Sequence, residues 1–203
     1  MKLFKKEIDP NLLIAIGVLI ASFSALFVYM RQASIMSEQT EILLQQTKAN
    51  SWPYLDLSYS YNSSDENDSN KKYSLSVVNK GTGPAIIQNI SITYDGKLAK
   101  NWKEFHALLN VPDSILKIGY IKSSISNKVI SPNESIKFVN WSGNKELINI
   151  VRKNSGKITV SICYKSVFNE FWNLERTGFD GVTKKVTYSE PEVCSSNKDS
   201  FED

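Results

Sequence analysis

An uncharged run of nineteen residues near the N-terminus constrains this chain more than any other feature. Residues 12–30 read LLIAIGVLIASFSALFVYM. As an α-helix this run would be ~29 Å long, which matches the ~30 Å hydrocarbon thickness of a bilayer. A buried helix of a soluble protein is usually shorter and amphipathic, whereas this run is apolar on every side. We therefore predict a helix that spans a membrane.

A cleaved secretory signal is the alternative, with Lys2, Lys5 and Lys6 as its basic leader. Cleavage needs small residues just after the apolar run, but this run ends in V-Y-M-R. The start of the helix is well marked, because Asp9 is a good helix cap and Pro10 fits a first turn. We therefore favour an anchor that is retained.

Basic residues are more numerous before the run than after it. Three lysines precede it, and Arg31 and Lys48 follow within about twenty residues. Basic residues stay preferentially on the cytoplasmic side of a membrane. The lysine- and asparagine-rich composition is typical of bacteria. Together these features predict a single-pass protein of the bacterial inner membrane, with a cytoplasmic N-terminus and a periplasmic C-terminal domain.

Three small residues, Gly17, Ala21 and Ala25, recur at four-residue intervals along the run. Such a pattern lets two helix backbones approach closely in lipid. Alanine and glycine are also common in any membrane helix, so chance explains the pattern as well. The functional interpretation is a homo-oligomer held together inside the membrane.

Residues 31–52 keep a helical composition, without glycine or proline, until Pro53. Proline restricts the residue before it and lacks an N–H, so it ends a helix. Ile35, Ile42 and Ala49 recur every seven residues, which suggests a short coiled-coil seam. Gln39 and Gln46 lie between them on this seam, so about half of its positions are polar. Over so few repeats, a solvated stalk without a partner is an equal alternative.

After residue 52 the apolar period changes from helical to two, which is typical of half-buried strands. In YLDLSYSY, residues 54–61, leucine or tyrosine alternates with serine or aspartate. In the strand predicted at 85–94, we expect one face to carry Ile86, Ile90, Ile92 and Tyr94. The other predicted strands lie at 73–79, 115–121, 135–141, 158–164, 168–174 and 182–188, and short helices lie at 101–110 and 144–153.

The predicted fold is mainly β. One N-terminal transmembrane helix continues into a helical stalk, and an antiparallel β-sandwich or barrel-like domain with two short helices follows. The boundaries are 1–30 for the flank and span, 31–52 for the stalk, 53–188 for the β-domain and 189–203 for an acidic tail. We expect this tail to be disordered, because it lacks apolar periodicity.

Sequence patterns for catalysis, cofactors or metals are not found in the chain. The single histidine, His106, has no ligand at metal-binding spacing, and Glu104 lies on another side of a helix. No serine occupies a G-x-S-x-G turn, and KGTGP lacks the lysine of a phosphate-binding loop. A net charge of +3 without an arginine cluster argues against specific nucleic-acid binding. We therefore predict that the protein is not an enzyme and needs no cofactor.

The chain has two cysteines, Cys163 and Cys194. In an oxidising compartment such a pair can form a disulfide. Cys194 lies in the predicted tail, so the sequence does not fix the distance between the two thiols. A bridge and two free thiols are both compatible with the sequence.

Two segments, NSWPYLDLSYS and LSVVNKGTGPAIIQNISITYDGK, carry a family resemblance. They resemble a group of small bacterial membrane proteins with one span, a Gln-rich stalk, a W-P-Y-L segment and an N-K-G-x-G-P-A turn before a β-domain. CYKSVFNEFW is similar to a late hairpin of such domains. Some proteins of this build resemble effectors of phage-defence operons, including retron-type systems, in which a membrane protein halts the infected cell. The resemblance implies an operon-encoded partner, such as a reverse transcriptase complex, and it assigns no active site.

The leading hypothesis is a membrane-anchored antiphage effector that acts by self-association in the bilayer, while its β-domain binds a partner or signal. One helix does not form a pore alone, so this hypothesis requires oligomers. The alternative is a periplasmic binding or scaffold module of an envelope complex, anchored by an inert helix.

Overall fold

One helix of 41 residues, α1 (Pro10–Asn50), dominates the first of two compact units, Met1–Ala49. The structure is a computed structural model that describes residues 9–63, 71–116, 120–194 and 200–202. The Asp9 carboxylate accepts a hydrogen bond from the Asn11 N–H (2.9 Å), as expected of a helix cap. The lysines at positions 2, 5 and 6 lie outside the described residues.

The surface of α1 has no cover within the chain, since none of its residues is buried. Among the residues that the structure describes, α1 is the one helix long and apolar enough to cross a membrane. A signal sequence near the N-terminus meets the same criterion of length and hydropathy. The predicted long apolar helix is confirmed, and it continues without interruption from the apolar run to Asn50.

The second unit, Asn50–Asp203, is built from antiparallel strands and short helices. Its described strands are β1 (Leu55–Asn62), β2 (Lys72–Asn79), β3 (Ala85–Tyr94), β4 (Lys97–Ala99), β5 (Tyr120–Lys122), β6 (Val129–Ile130), β7 (Ser135–Ser142), β8 (Ile158–Lys165), β9 (Phe171–Thr177) and β10 (Lys185–Ser189). Its described helices are α2 (Trp102–Leu108), α3 (Asp113–Leu116) and α4 (Lys145–Asn154), which a 3-10 turn (Ser155–Lys157) follows.

The strands form two sheets. One sheet has the order β1-β2-β7-β5, and the other has the order β10-β9-β8-β3-β4, with β6 also paired to β3. Every strand pair in these sheets is antiparallel. The predicted antiparallel β-domain is confirmed. Over the described chain, helix and strand contribute similar numbers of residues, because α1 is so long.

Side chains from both sheets form one continuous hydrophobic core. On β1, Leu55 and Leu57 are fully buried, as their alternation with polar residues predicts. The helix α4 lies against β2 and β7 and adds Leu147, Ile148 and Val151 to the core. Each fully buried side chain of this kind stabilises the fold by ~1.5–3 kcal/mol relative to exposure.

Asparagine side chains cap both of the longer helices in this unit. The Asn101 Oδ1 accepts from the Glu104 N–H at α2 (3.0 Å), and the Asn144 Oδ1 accepts from the Leu147 N–H at α4 (3.1 Å). The Glu104 carboxylate accepts in turn from the Lys100 N–H (2.9 Å). These bonds satisfy backbone donors that have no partner inside a helix.

The strand predicted at residues 115–121 is wrong for its first half. Residues up to 116 belong to the one-turn helix α3, and the strand β5 begins at Tyr120. Residues 117–119 lie outside the described part. An apolar run this short fits one helical turn as well as a strand, so periodicity does not distinguish them.

The predicted face of β3 is wrong at Ile86. Ile90 and Ile92 are buried, but Ile86 is half-buried, and Ile87 takes the inward position beside it. The register between β3 and β8 shifts between Ile87 and Asn89. An extra residue in one strand reverses the alternation beyond it, so Ile86 does not share the face of the later isoleucines.

The disordered tail predicted at 189–203 is wrong for the residues that the structure describes there. Ser189 belongs to β10, and Cys194 is bonded to the folded unit. Phe201 is only 2% exposed, and its N–H donates to the Ile90 carbonyl (2.8 Å). A single aromatic residue creates no period, so the sequence does not reveal this contact. Residues 195–199 and 203 lie outside the described part.

Asn79, at the end of β2, is fully buried and uses its whole side-chain amide. Its Oδ1 accepts from the N–H of Tyr54 (3.3 Å) and of Gly81 (3.0 Å). Its Nδ2 donates to the carbonyls of Gly83 (2.8 Å) and Ile130 (2.9 Å). One side chain thus joins the segment before β1, the turn after β2 and the strand β6.

The turn after β2 lies directly on the segment before β1. The Trp52 carbonyl accepts from the N–H groups of Thr82 (2.9 Å) and Gly83 (3.1 Å). A Cβ at Gly83 would lie 1.9 Å from the Ser51 carbonyl oxygen, which no side chain permits. Glycine is required here because two backbone segments approach each other.

Replacing Asn79 with alanine is expected to lower the free energy of unfolding by about 3 kcal/mol, because two buried and two partly buried backbone groups lose their partner. The measurement is urea unfolding of the full chain in detergent, followed by tryptophan fluorescence. All four tryptophans lie in the second unit, so the signal reports that unit. The exposed Asn62→Ala is the control and should change stability by less than about 0.5 kcal/mol. Equal midpoints for both variants would contradict the role of Asn79.

Candidate functional site

A cleft of about 560 Å³ in the second unit brings charged and aromatic side chains together. We call it the basic cleft. Its tyrosines are Tyr59 and Tyr61 from β1 and Tyr73 from β2. Its charged side chains are Arg152 and Lys153 from α4 and Asp180 from the loop after β9, next to Phe179.

The alternation of β1 places its tyrosines at the cleft. Tyr59 and Tyr61 follow Leu55 and Leu57 at the same two-residue spacing, so all four lie on one face of the strand. The leucines are buried, whereas the tyrosines are half-buried, because the core ends before the strand does. Tyr61 is paired with Tyr73 across the ladder. The cleft is therefore the open end of the core face.

The loop after β9 forms a fixed wall of the cleft. The Asp180 Oδ1 accepts from the N–H groups of Val182 (2.9 Å) and Thr183 (2.7 Å). Gly178 has a φ of +85°, and a Cβ there would lie 1.2 Å from the Thr183 carbonyl oxygen. Only glycine fits such a position. The Tyr73 hydroxyl donates to the Phe179 carbonyl (2.7 Å), which ties this loop to β2.

Arg176 supports the same wall from inside the fold. It is 6% exposed, and its guanidinium donates to the carbonyls of Leu57 and Gly178. The guanidinium carbon lies 4.7 Å from the centre of the Phe179 ring and 5.7 Å from that of Tyr59. Cations over aromatic faces are attracted to the ring electrons. A buried positive charge thus lies directly behind two rings that line the basic cleft.

The two cations at the mouth of the cleft have no ion-pair partner among the described residues. The Arg152 guanidinium carbon lies 4.2 Å from the centre of the Tyr61 ring, so this side chain is held by stacking. Lys153 is exposed beside it. Both occupy the last turn of α4, where a positive charge interacts favourably with the helix dipole.

Two ionisable groups of the cleft, Asp180 and Tyr73, have shifted pKa values. Burial raises the pKa of Asp180, but hydrogen bonds from the N–H groups of Thr183 and Val182 outweigh it and leave that pKa below its usual value. Burial raises the pKa of Tyr73 well above its usual value, so its hydroxyl stays protonated. Near neutral pH, Asp180 is therefore a carboxylate and Tyr73 a neutral phenol. Among the described residues, no group of acidic, histidine or cysteine side chains is placed to hold a metal ion.

The small residues predicted from the sequence all lie exposed on α1. Gly17, Ala21 and Ala25 have no cover within the chain, and a Cβ at Gly17 would meet no atom within 4 Å. The nearby Ser24 hydroxyl donates to the Ile20 carbonyl of its own helix (2.9 Å). This face of α1 is therefore open to lipid or to another molecule.

Cys163 on β8 and Cys194 after β10 form a disulfide, with their Cα atoms 5.8 Å apart. The sequence was compatible with either a disulfide or two free thiols, and the structure contains the disulfide. The bond fixes the segment after β10, where Glu190 and Glu192 line a shallow pocket with Trp172. It joins positions that are 31 residues apart in the sequence.

The single histidine belongs to the core. His106 is fully buried, and its Nε2 accepts a hydrogen bond from the Trp141 indole N–H (2.9 Å). Burial lowers the pKa of His106 to about 4, while the backbone of Trp102 has the opposite effect. The ring is therefore neutral near neutral pH, and its contacts are structural.

Sequence reasoning missed the basic cleft. The chain has three arginines beside 21 lysines, and this composition argued against an arginine-rich binding surface. Two of those arginines, Arg152 and Arg176, nevertheless contact aromatic rings that line one cleft. The available signal was the use of arginine at a few positions of a lysine-rich chain. Arginine stacks on aromatic rings and binds anions with two parallel hydrogen bonds, and lysine does neither as well.

The model of one protein family matches most of this chain. It is described as "Domain of unknown function (DUF8453)" and matches residues 12–191. The chain belongs to this family. The match extends from the apolar run of α1 to the segment after β10, so the helix and the folded unit are parts of one family pattern. No curated protein matches the chain.

Acidification is expected to destabilise the folded unit through His106. Its pKa is about 4 in the fold against 6.5 for an ordinary histidine, so the unfolded chain binds a proton at higher pH. The neutral His106 ring contributes fully to the free energy of unfolding above about pH 6.5. This contribution is lost as the pH falls toward 4, by about 3 kcal/mol in total. The measurement is the free energy of unfolding between about pH 7 and pH 5, where few other groups titrate.

The matched variant is His106→Gln, which keeps an acceptor for the Trp141 indole but has no ionisable ring. It should show a nearly flat profile over the same pH range. The same slope in both proteins would mean that another group causes the effect.

Proposed function

We propose that this protein is a non-enzymatic, membrane-anchored effector that acts by self-association in the bilayer. In this proposal it serves a bacterial antiphage system of the abortive-infection type, and its folded unit receives the activating signal or an operon-encoded partner. The resemblance of its W-P-Y-L and N-K-G-x-G-P-A segments to proteins of such systems supports this role. The membrane is the inner membrane, with the N-terminus in the cytoplasm and the folded unit in the periplasm.

The observation that carries the proposal is the uncovered surface of α1. None of its residues is buried, although its first half is apolar on every side. Apolar surface of this extent is unstable in water, so lipid or a second copy has to cover it. The basic cleft contains fixed charges suited to binding, which supports a role as a receiver rather than as a catalyst.

Because α1 is continuous, the small residues of the apolar run and the start of the heptad seam lie along one face of the helix. Gly17 and Ile35 are 18 residues apart, which is five turns at ~3.6 residues per turn. The same spacing separates Ala21 from Gln39. The small residues of the apolar run and the first half of the heptad seam thus lie on the same side of the helix. A second helix packed on this side would contact both.

The disulfide supports the proposed location. Bonds between cysteines form and persist in oxidising compartments such as the periplasm, and they are rare in the cytoplasm. The bond between Cys163 and Cys194 in the folded unit therefore supports a location on the oxidising side of the membrane. The excess of lysine before the apolar run favours the same orientation.

The alternative is a periplasmic binding or scaffold module of an envelope complex, with an inert anchor. The basic cleft favours it, because a rigid binding site serves a scaffold as well as an effector. The two functions differ in what they require of α1. An effector depends on the identity of the small-residue face, whereas a scaffold depends only on being anchored.

Gly17→Ile and Ala21→Ile are expected to abolish crosslinked oligomers in membranes and to prevent depolarisation after regulated expression. Branched side chains on this face keep two helices apart, and a loss of 1.4 kcal/mol already weakens association about tenfold. The measurements are crosslinking in isolated membranes and a dye that reports membrane potential. Since a Cβ at Gly17 meets no atom within 4 Å, the substitution creates no clash inside the chain.

Leu19→Ile is the control, because Leu19 lies on the opposite side of α1 from Gly17 and is similar in volume to its replacement. It should leave both measurements unchanged. Cells that remain polarised with the unsubstituted protein would contradict the effector function. Depolarisation that survives both face substitutions would contradict self-association through this face.

In cells, Cys163 and Cys194 are expected to resist alkylation until a reductant is added, because export oxidises them. The measurement is the gel shift of the full chain with a maleimide-linked polymer after acid quenching. A host without its periplasmic thiol oxidase is the control, and there both thiols should react. Two reactive thiols in the normal host would place the folded unit in the cytoplasm and contradict the topology.

A further inference from the structure

We infer that the basic cleft binds a phosphate monoester attached to a planar ring, with Arg152 holding the phosphate and the tyrosines of β1 holding the ring. This inference deepens the proposed function, since it names the chemistry of the signal that the folded unit receives. It rests on the size, charge and aromatic lining of one cleft.

The size of the cleft calls for more than an inorganic ion. At about 560 Å³ it falls within the range of small-molecule sites, which is ~300–1,000 Å³. A bare phosphate would fill only a small part of it. The ligand therefore carries a second group beside its charge.

The charge of the cleft selects an anion. Arg152 and Lys153 have no ion-pair partner among the described residues, and the buried charge of Arg176 lies behind the Tyr59 and Phe179 rings. Asp180 is the one acidic residue among the described side chains of the lining. Its Oδ1 is already occupied by two N–H groups of its own loop. The cations therefore outnumber the negative charge that faces them.

The position of Arg152 favours an oxyanion with several oxygens. One face of its guanidinium lies on the Tyr61 ring at 4.2 Å, which leaves the edge with its N–H groups available. That edge matches two oxygens of a phosphate. Lys153 follows directly in the same helical turn and supplies a second cation for the same group. A phosphate monoester has three terminal oxygens and a charge of about −1.5 to −2, which uses both cations.

The tyrosines favour a planar ring as the second group. Tyr59 and Tyr61 are half-buried, so their rings are partly open to the cleft, and Phe179 lies beside them. Aromatic rings stack on planar ligands in offset or edge-to-face arrangements. The wall behind them is fixed by the bonds of Tyr73 and Arg176 to the loop after β9. A site formed in advance loses little freedom when its ligand binds.

The test uses the full chain in dodecyl maltoside, a detergent without phosphate, and equilibrium dialysis with adenosine monophosphate, adenosine and inorganic phosphate as separate probes. Adenosine monophosphate should bind saturably, and each fragment alone should bind at least about tenfold more weakly, because each lacks one set of contacts. No saturable binding of adenosine monophosphate would overturn the inference. Equal affinity for inorganic phosphate would overturn the role of the ring, and equal affinity for adenosine would overturn that of the phosphate.

Arg152→Gln should weaken binding of adenosine monophosphate about ten- to a hundredfold, through loss of charge-assisted hydrogen bonds. Arg152→Lys should recover only part of this loss, because lysine does not bind two oxygens in parallel. Tyr59→Leu should weaken binding of adenosine monophosphate and leave that of inorganic phosphate nearly unchanged, because the Tyr61 ring that holds Arg152 is retained. The control is Lys122→Gln, which removes one exposed charge on β5, and it should bind as the parent does.

Urea midpoints of all variants show whether the folded unit is intact. Affinity for adenosine monophosphate that is unchanged in an intact Arg152→Gln variant would overturn the assignment of the phosphate. Binding in detergent needs no membrane potential, so the outcome is separate from that of the proposed function. A protein that binds the probe but never depolarises cells would contradict the effector function alone, and one that depolarises cells without binding would contradict this inference alone.

Discussion

Asn79 is the contact on which the arrangement of the folded unit depends. Its two donors and its acceptor bind three separate backbone segments, and no aspartate or leucine at this buried position would satisfy them. The segments that contain W-P-Y-L and N-K-G-x-G-P-A therefore lie against each other, and the glycines permit the approach. These two segments therefore belong to the architecture of the folded unit. Residues that hold a fold in this way carry no information about its ligand.

The basic cleft follows from the same alternation that builds the core. The inward face of β1 continues for two tyrosines beyond the buried leucines, and the last turn of α4 brings positive charge to that point. Neither feature is a motif. A strand that is longer than its core and a helix with a basic C-terminal turn are both ordinary, and only their meeting creates a site. The charge of Asp180 is stabilised by hydrogen bonds within its own loop, so it is present before any ligand arrives.

Much of the fold could be predicted from local patterns, whereas the cleft could not. The alternation in β1 and the caps at Asn101 and Asn144 are local, so the chain order of strands and helices is largely visible in the sequence. The shift at Ile87 in β3 and the burial of Phe201 depend on partners far away in the sequence. The cleft collects residues from positions 59 to 180, and only the sheet order brings them together. Periodicity reports which way a side chain points, but not which distant side chain it meets.

The unbroken course of α1 restricts how its length can vary. A change of one residue turns everything beyond it by ~100° around the axis, so Gly17 and Ile35 would no longer share a side. Changes of about seven, eleven or eighteen residues nearly restore the angle. If relatives use the same side for association, their helices should differ in length by such steps and not by arbitrary numbers. The angular position of residues around the helix axis is then constrained more tightly than the length of the helix.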